Sequence, residues 1–434
     1  MYAATSIVKY NQFRSGMDLT IFDQAVRSFS HFQPGYTTMK APGMSIFGDH
    51  FHPIVLAMVP LYWIWSDPRM LLLAQAACAA LAGWLLGRLA GRRLGQSVGL
   101  IVTMGYLSSI GIQAGIVFDF HEVALGLPLL AMALSMFLEQ RWPACWIWSA
   151  SLMLIKEDTC FLVAGVALAM FLRGQRTRAV TLLAFAGAWT AVAVFVVIPY
   201  FNPSHVYPYL GSLGSVTVSG VDVGVHPWWQ GPLWTLGTTL LLLVGAGFAA
   251  VASPLIWAVL LPMATRAVSK NPQHWVPSFH YQMLAEVILF FAVVDAWPRI
   301  RVHWRGWVLG LIVLVAALSA TFGHITHEWR IGGCPDACRH APAALATIPD
   351  HARVGADVYL TSHLSARTDV SQWRPPDFTD DLGQPVTVDW LVLNRDTIAY
   401  DNMTNHWVDV WLASDPSGWV ITGQYGPIVV LRHA

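Results

Sequence analysis

Charge is scarce in this sequence: 25 basic and 25 acidic residues make up 12% of 434, where soluble chains carry roughly 25%. With no excess of either sign, it has no basic field to draw nucleic acid and no polybasic patch for anionic headgroups. Cysteine is nearly absent as well. Five residues are too few for a disulfide framework, and Cys78, Cys145 and Cys160 fall inside apolar runs where they read as core. Cys334 and Cys338, in CPDAC, are close enough to bridge on an oxidising side of a membrane. Glycine-rich phosphate loops, GxSxG and HExxH are missing, which removes support for nucleotide hydrolysis, serine hydrolysis and zincin proteolysis. No internal repeat suggests a transporter built from related halves. The opening MYAATSIVKYNQF is too short and too mixed for a secretory signal.

What the chain has is apolar length, with 55% hydrophobic residues and 21 Trp. Runs long enough to span a bilayer, or nearly so, cover 70–87, 97–117, 123–138, 179–200, 233–251, 254–268, 281–297 and 306–323. The run 144–172 is too long for one helix and is interrupted by Lys156, Glu157 and Asp158, so it reads as two short helices with a turn at the charges. Counting it so gives about ten crossings. Arg88, Arg92, Arg93, Arg141, Arg173, Arg176, Arg178, Arg299, Arg301 and Arg305 then share one side, which the positive-inside rule makes cytoplasmic. The chemistry-bearing groups fall on the opposite side. The expected architecture is mainly α: a polytopic transmembrane domain over 1–323, whose first outer loop is 1–68, and a small α/β domain over 324–434 on the outer face. Its strands are expected in ARVGADVYL, VDWLVLNR, GWVITG and PIVVLR, with a helix in MTNHWVDVWLA.

In the first outer loop, Leu19, Phe22, Val26 and Phe29 recur at helical spacing with Asp23, Gln24 and Arg27 between them. This reads as an amphipathic helix lying on the membrane, with Asp18 at its start as an N-cap or as a carboxylate able to take a proton. Asp49, His50 and His52 in GDHFHP combine the usual donor atoms of a divalent-metal site, and Asp49 also suits a helix cap. The run Pro53 to Trp65, which follows, reads as an interfacial or re-entrant helix. Lys156, Glu157 and Asp158 are costly near a bilayer unless they line a wet site, where Lys156 suits a phosphate. Asp119 and His121, with Glu122, form a second polar turn. His280 and Tyr281 precede another span, and Trp228, Trp229 and Trp275 suit an interfacial belt.

The ordered motifs SGMDLTIFDQAV, GDHFHPIVL, FDFHE, LIKED, SFHYQ and SHLSAR resemble the bacterial multi-pass family catalogued as domain of unknown function 2079, across nearly the whole chain. That family is similar in layout to the GT-C superfamily of membrane glycosyltransferases, which use polyprenyl-phosphate sugars. The resemblance implies an inverting, GT-C-type glycosyltransferase of the bacterial inner membrane. In it Asp18 is the first-loop catalytic acid, and Asp49, in the second outer motif, is the second catalytic candidate. The resemblance carries over His50, Lys156, Glu157 and Asp158 as substrate-binding groups; the residue chemistry adds Asp119, His121, His280 and Tyr281 to them, and a divalent metal (Mg, Mn or Zn) at Asp49 and His52. The implied partners are the lipid-linked donor and an acceptor glycan, lipid or protein. Proteins of this layout usually carry a transmembrane helix ahead of the first-loop acid, so the seventeen residues before Asp18 leave that helix either upstream of Met1 or absent. The alternative from another class is a transporter or flippase of a polar or lipid-linked substrate, in which the charged turn and the histidines relay protons. A third is a scaffold or sensor whose tail binds a partner.

Overall fold

The computed structural model describes residues 1–209, 217–218, 221–222, 226–331, 333–373, 379–396, 407–414, 416 and 418–434. Most of the chain is helical, and Pro68–Leu94 shows how the sequence sets the ends of a helix. Asp67 accepts a 2.9 Å hydrogen bond from the Arg69 backbone N–H and Pro68 opens the first turn. Arg92 and Arg93 occupy the last turn before Gly95, whose φ of 91° ends the helix.

Four described helices are long and apolar enough to cross a membrane alone: Pro68–Leu94, Arg176–Phe201, His280–Arg299 and Val302–Arg330. A fifth span arises if Gln96–Leu107 and Ile110–Phe118, bent by 41°, count as one. Pro53–Ile64, Val123–Leu138 and Pro254–Ala267 are apolar but shorter. These are fewer full-length spans than the roughly ten crossings that apolar windows suggest, because such windows register length and not bends. The run 97–117 breaks at Ser108 and Ser109, and the run 144–172 divides as expected into Trp142–Ser151 and Cys160–Leu172 around the charged turn.

His280–Arg299 is the axis of the bundle, with 89% of its apolar window buried against 17% for Val302–Arg330. The latter therefore turns most of its side chains outward to the apolar surroundings. Small residues let helices close on one another. At Gly165 an added β-carbon would lie 2.3 Å from the Ala258 backbone, so Cys160–Leu172 and Trp257–Ala267 touch main chain to main chain.

The tail folds as a mixed five-stranded sheet in the order Asp369–Gln372, Arg353–Ala356, Trp390–Asn394, Ile428–His433, Trp419–Tyr425. The first three strands are parallel and the last two pair antiparallel. Alternate residues serve two cores. Val354, Ala356, Val392, Ile428 and Val430 pack with Ala341, Ala344 and Leu345 of the helix Asp336–Leu345, and Leu391, Leu393, Val429 and Leu431 pack with Trp373 and Val408 on the other face. Cover on both faces is why the strands read as unbroken apolar runs. Four of these strands match the expected segments; Asp369–Gln372 is too polar to announce itself. The expected late helix is Trp407–Ala413, its upstream part lying outside the described residues. Cys334 and Cys338 are bridged, with Cα atoms 5.4 Å apart.

The helix Met17–Ser30 forms as the spacing requires, but it does not lie with its polar face open to water. The tail covers that face. Thr20 and Thr361 hydroxyls are 2.7 Å apart, Gln24 Nε2 donates to the Val370 carbonyl at 3.0 Å, and Ser365 donates to Asp23 at 2.7 Å. Asp23 is fully buried and also takes Tyr62 at 2.7 Å and Arg27 at 3.0 Å. Asp23→Ala removes the acceptor shared by three donors, among them the Arg27 guanidinium, and is expected to cost about 3–5 kcal/mol, read as a lower melting temperature of the detergent-purified protein. An unchanged melting point would show that this carboxylate does not anchor the tail.

Candidate active site

The site begins where the N-terminal segment is pinned to the turn after Ile110–Phe118. Asp119 accepts from the Gly16 backbone N–H at 2.7 Å and pairs with Lys9 at 3.3 Å; Lys9 also donates to the Phe118 carbonyl. Asp119 is therefore spent on holding Met17–Ser30 in place. Gly16, not Asp18, is the N-cap residue of that helix, and Asp18 stands in its first turn, where the helix dipole favours a carboxylate. The capping role considered for Asp18 is not the one it has.

GDHFHP meets the charged turn directly. His50 Nδ1 lies 2.6 Å from Glu157 Oε1, the Phe51 N–H donates to Glu157 Oε2 at 3.0 Å, and Tyr207 donates to the same carboxylate at 3.1 Å. Gly48 is required by close approach, since a β-carbon there would meet the Phe201 carbonyl oxygen at 2.5 Å. Asp49 likewise does not cap the following helix. Lys40 pairs with it at 2.9 Å and Tyr209 donates to it at 2.7 Å, while the Tyr209 ring stacks on His50 at 4.4 Å. Burial alone would raise the Asp49 carboxyl, but Lys40, His50 and Tyr209 outweigh it and hold the group well below the usual carboxylate range. Burial alone would lower Lys40, but Asp49 and Asp381 outweigh it and keep the ammonium charged. Asp381 comes from the tail, 3.3 Å from Lys40, so the tail reaches this wall through one lysine.

Three charged side chains make none of these ties among the described residues: Asp158, which is exposed in the charged turn, and the better enclosed Asp18 and Lys156. Among the described residues Asp18 has no hydrogen bond or ion pair, and the Lys156 ammonium has no ion pair within 4 Å. Yet Asp18 feels Asp119, Lys40, Glu122 and Lys156, and Lys156 feels Asp158, Glu122, Glu157 and Tyr281. Burial, then the negative charge of Asp119, pushes the Asp18 carboxyl up to about 7. A carboxylate so placed can exchange a proton near neutrality.

The third element is histidine. His121 and His280 stack at 3.4 Å between ring centroids, and Glu122, fully buried, lies 2.5 Å from His121 Nδ1. Asp18, His121 and His280 each offer a ligand atom within 4.8 Å of the others. His52 is buried between Phe22 and Phe47 with neither ring nitrogen hydrogen-bonded, and burial lowers it to about 4. Asp49 and His52, the pair suggested for a metal, are not part of that group, and the ammonium 2.9 Å from Asp49 opposes a cation there.

Thus Asp18, Lys156, His121, His280 and Tyr281 come together, with His50, Glu157 and Asp49 forming an adjoining wall and Asp158 in electrostatic reach of Lys156 and Arg266. Sequence reasoning passed over Lys40, Tyr207, Tyr209 and Arg266. For Lys40 a signal existed: the chain has four lysines, Lys9, Lys40, Lys156 and Lys270, against abundant arginine in the loops at the other end. Trp275, expected in an interfacial belt, is instead buried and donates to the Ser269 carbonyl at 2.9 Å.

Solved structures that share this architecture include two of ArnT. ArnT from Cupriavidus metallidurans bound to undecaprenyl phosphate aligns at a TM-score of 0.59 with 14% identity, covering 99% of this chain and 97% of that one. The same protein in the apo state aligns at 0.60 with 13% identity, covering 99% and 96%. The fold is thus ArnT-like and of the GT-C type expected from the sequence, a polytopic helical body with a small α/β tail. No curated protein matches the sequence. The family model described as Predicted membrane protein (DUF2079) matches residues 9–418, nearly the whole length, and the chain belongs to that family.

Proposed function

We propose that the protein is a membrane glycosyltransferase that moves a sugar from a polyprenyl-phosphate donor to an acceptor hydroxyl on the extracytoplasmic face of the bacterial inner membrane. The observation that carries this reading is the pair of untied groups, the Asp18 carboxylate and the Lys156 ammonium, held within electrostatic reach of each other. Four neighbouring carboxylates are committed, Asp23 to Arg27, Asp49 to Lys40, Asp119 to Lys9 and Glu157 to His50, whereas Asp158 is exposed and makes no such tie among the described residues. A free base and a free cation are what displacement at a sugar phosphate needs.

In this reading Asp18 takes the proton of the acceptor hydroxyl as its oxygen attacks the anomeric carbon. The bond from that carbon to the phosphate oxygen breaks, its electron pair stays on the phosphate, and Lys156 offsets the charge that develops there. Attack opposite the leaving group inverts the sugar. Sidedness is supported by the far end of the bundle, where Arg93, Arg173 and Arg299 border one polar cavity and Arg92 pairs with Glu139; by the positive-inside rule that end is cytoplasmic. The lipid-linked donor is suggested by the solved ArnT structure holding undecaprenyl phosphate.

Native mass spectrometry of the detergent-purified protein with undecaprenyl phosphate tests the lipid half of the reading. One bound lipid per chain, retained at collision energies that strip phosphatidylglycerol, is expected. Equal retention of the two lipids would remove the case for a polyprenyl-phosphate site.

A further inference from the structure

Asp18, His121 and His280 come from three distant stretches of chain, yet each places one donor atom within 4.8 Å of the other two. Each is delivered by a separate device. Asp18 arrives because Asp119 clamps Gly16, His121 because its own N–H donates to Gln75 Oε1 at 3.1 Å, and His280 because it opens the central helix. The imidazoles are not satisfied where they sit. His280 is 4% exposed and its Nδ1 has no hydrogen-bond partner; His121 Nδ1 has none of good direction either, with the buried Glu122 carboxylate 2.5 Å away. Leaving such nitrogens unpaired costs free energy. The two rings lie face to face at 3.4 Å, so a modest turn of one ring brings both in-plane lone pairs onto one ion.

We propose that Asp18, His121 and His280 bind a divalent first-row transition cation through one carboxylate oxygen and two imidazole nitrogens, with open positions for the phosphate oxygens of the lipid-linked donor. The donor set selects the metal class. Two imidazoles with one carboxylate suit zinc or a neighbouring transition ion, whereas calcium and magnesium prefer oxygen alone. Glu122, 2.5 Å from His121 Nδ1, stands where a carboxylate would orient the ring and leave Nε2 for the cation. Asp18 needs one oxygen for the cation and keeps the other for the acceptor proton. The metal's role toward phosphate rests on the transferase reading; its binding does not.

The test uses full-length protein purified without an oligohistidine tag, stripped with chelator and titrated with Zn²⁺ by calorimetry, then with Co²⁺ followed by its visible absorption. One ion per chain is expected, with the cobalt bands of a four- or five-coordinate site. His121→Ala and His280→Ala are each expected to weaken binding at least tenfold, and Asp18→Asn similarly, while His303→Ala, an exposed residue at the far end, leaves binding unchanged. Melting curves of the stripped variants identify any that fail to fold, and for those the wild-type cobalt spectrum alone decides. An absence of stoichiometric zinc binding, or a cobalt spectrum of six oxygen ligands, would overturn the site; so would unchanged binding in folded His121 and His280 variants. Zinc bound as described in a protein that transfers no sugar would leave the metal site standing and remove the glycosyltransferase reading instead.

Discussion

Asp18→Asn is expected to lower sugar transfer by about 10²–10⁴-fold, the usual worth of a positioned general base. Asparagine keeps the shape and removes the basic oxygen. The folded state should survive the change, because Asp18 makes no hydrogen bond or ion pair among the described residues that asparagine would break. The contrast with Asp23 five residues on is informative: that carboxylate is tied to Arg27, Tyr62 and Ser365, and its loss should appear in melting. Measuring turnover and melting temperature on both variants separates the two roles. An Asp18→Asn protein that still transfers sugar at the wild-type rate would end the base assignment.

Lys156→Met should lower turnover by about 10²–10³-fold, comparable to removing one preorganised donor from a developing anion. Methionine retains the stem and deletes the charge. Because the ammonium makes no ion pair within 4 Å among the described residues, its removal orphans no close anionic partner; Asp158, Glu122 and Glu157 act on it from farther away. The effect should therefore fall mainly on the rate constant for transfer, with binding of the free polyprenyl phosphate weakened as well and Lys156→Arg partly active. A variant whose turnover matches wild type, measured at saturating donor, would move the phosphate elsewhere in the site.

Much of the scaffold was legible because apolar length and strand alternation are local properties. The division of the 144–172 run, the strands Trp390–Asn394 and Ile428–His433, and the family motifs all stand in contiguous stretches. What stayed hidden is pairing across distance. The spacing of Leu19, Phe22 and Val26 showed which face of Met17–Ser30 is apolar but not that Thr361, Ser365 and Val370 would cover the other. GDHFHP reads as a divalent-metal site through its local density of donor groups. Its Asp49, however, is paired with Lys40 and hydrogen-bonded by Tyr209, and its His50 is held by Glu157, none of them adjacent in sequence. Conversely, Asp18 reads from its spacing alone as a cap or a base and is singled out by the family resemblance; that its side chain has no partner among the described residues is a property no window of sequence displays. The stretch that seems richest is the wall, and the isolated acid is the candidate centre.

The most direct test of transfer against transport is made in proteoliposomes containing the purified protein, polyprenyl-phosphate sugars labelled in the sugar, and an extract of native envelope as acceptor. The quantity to measure is the fraction of label that leaves its lipid carrier. The present account predicts that wild-type protein severs the sugar–phosphate bond, releasing polyprenyl phosphate in step with label appearing on acceptor, and that Asp18→Asn does neither. Label that stays on its carrier while the intact lipid-linked sugar moves between leaflets, equally in both proteins, would contradict it.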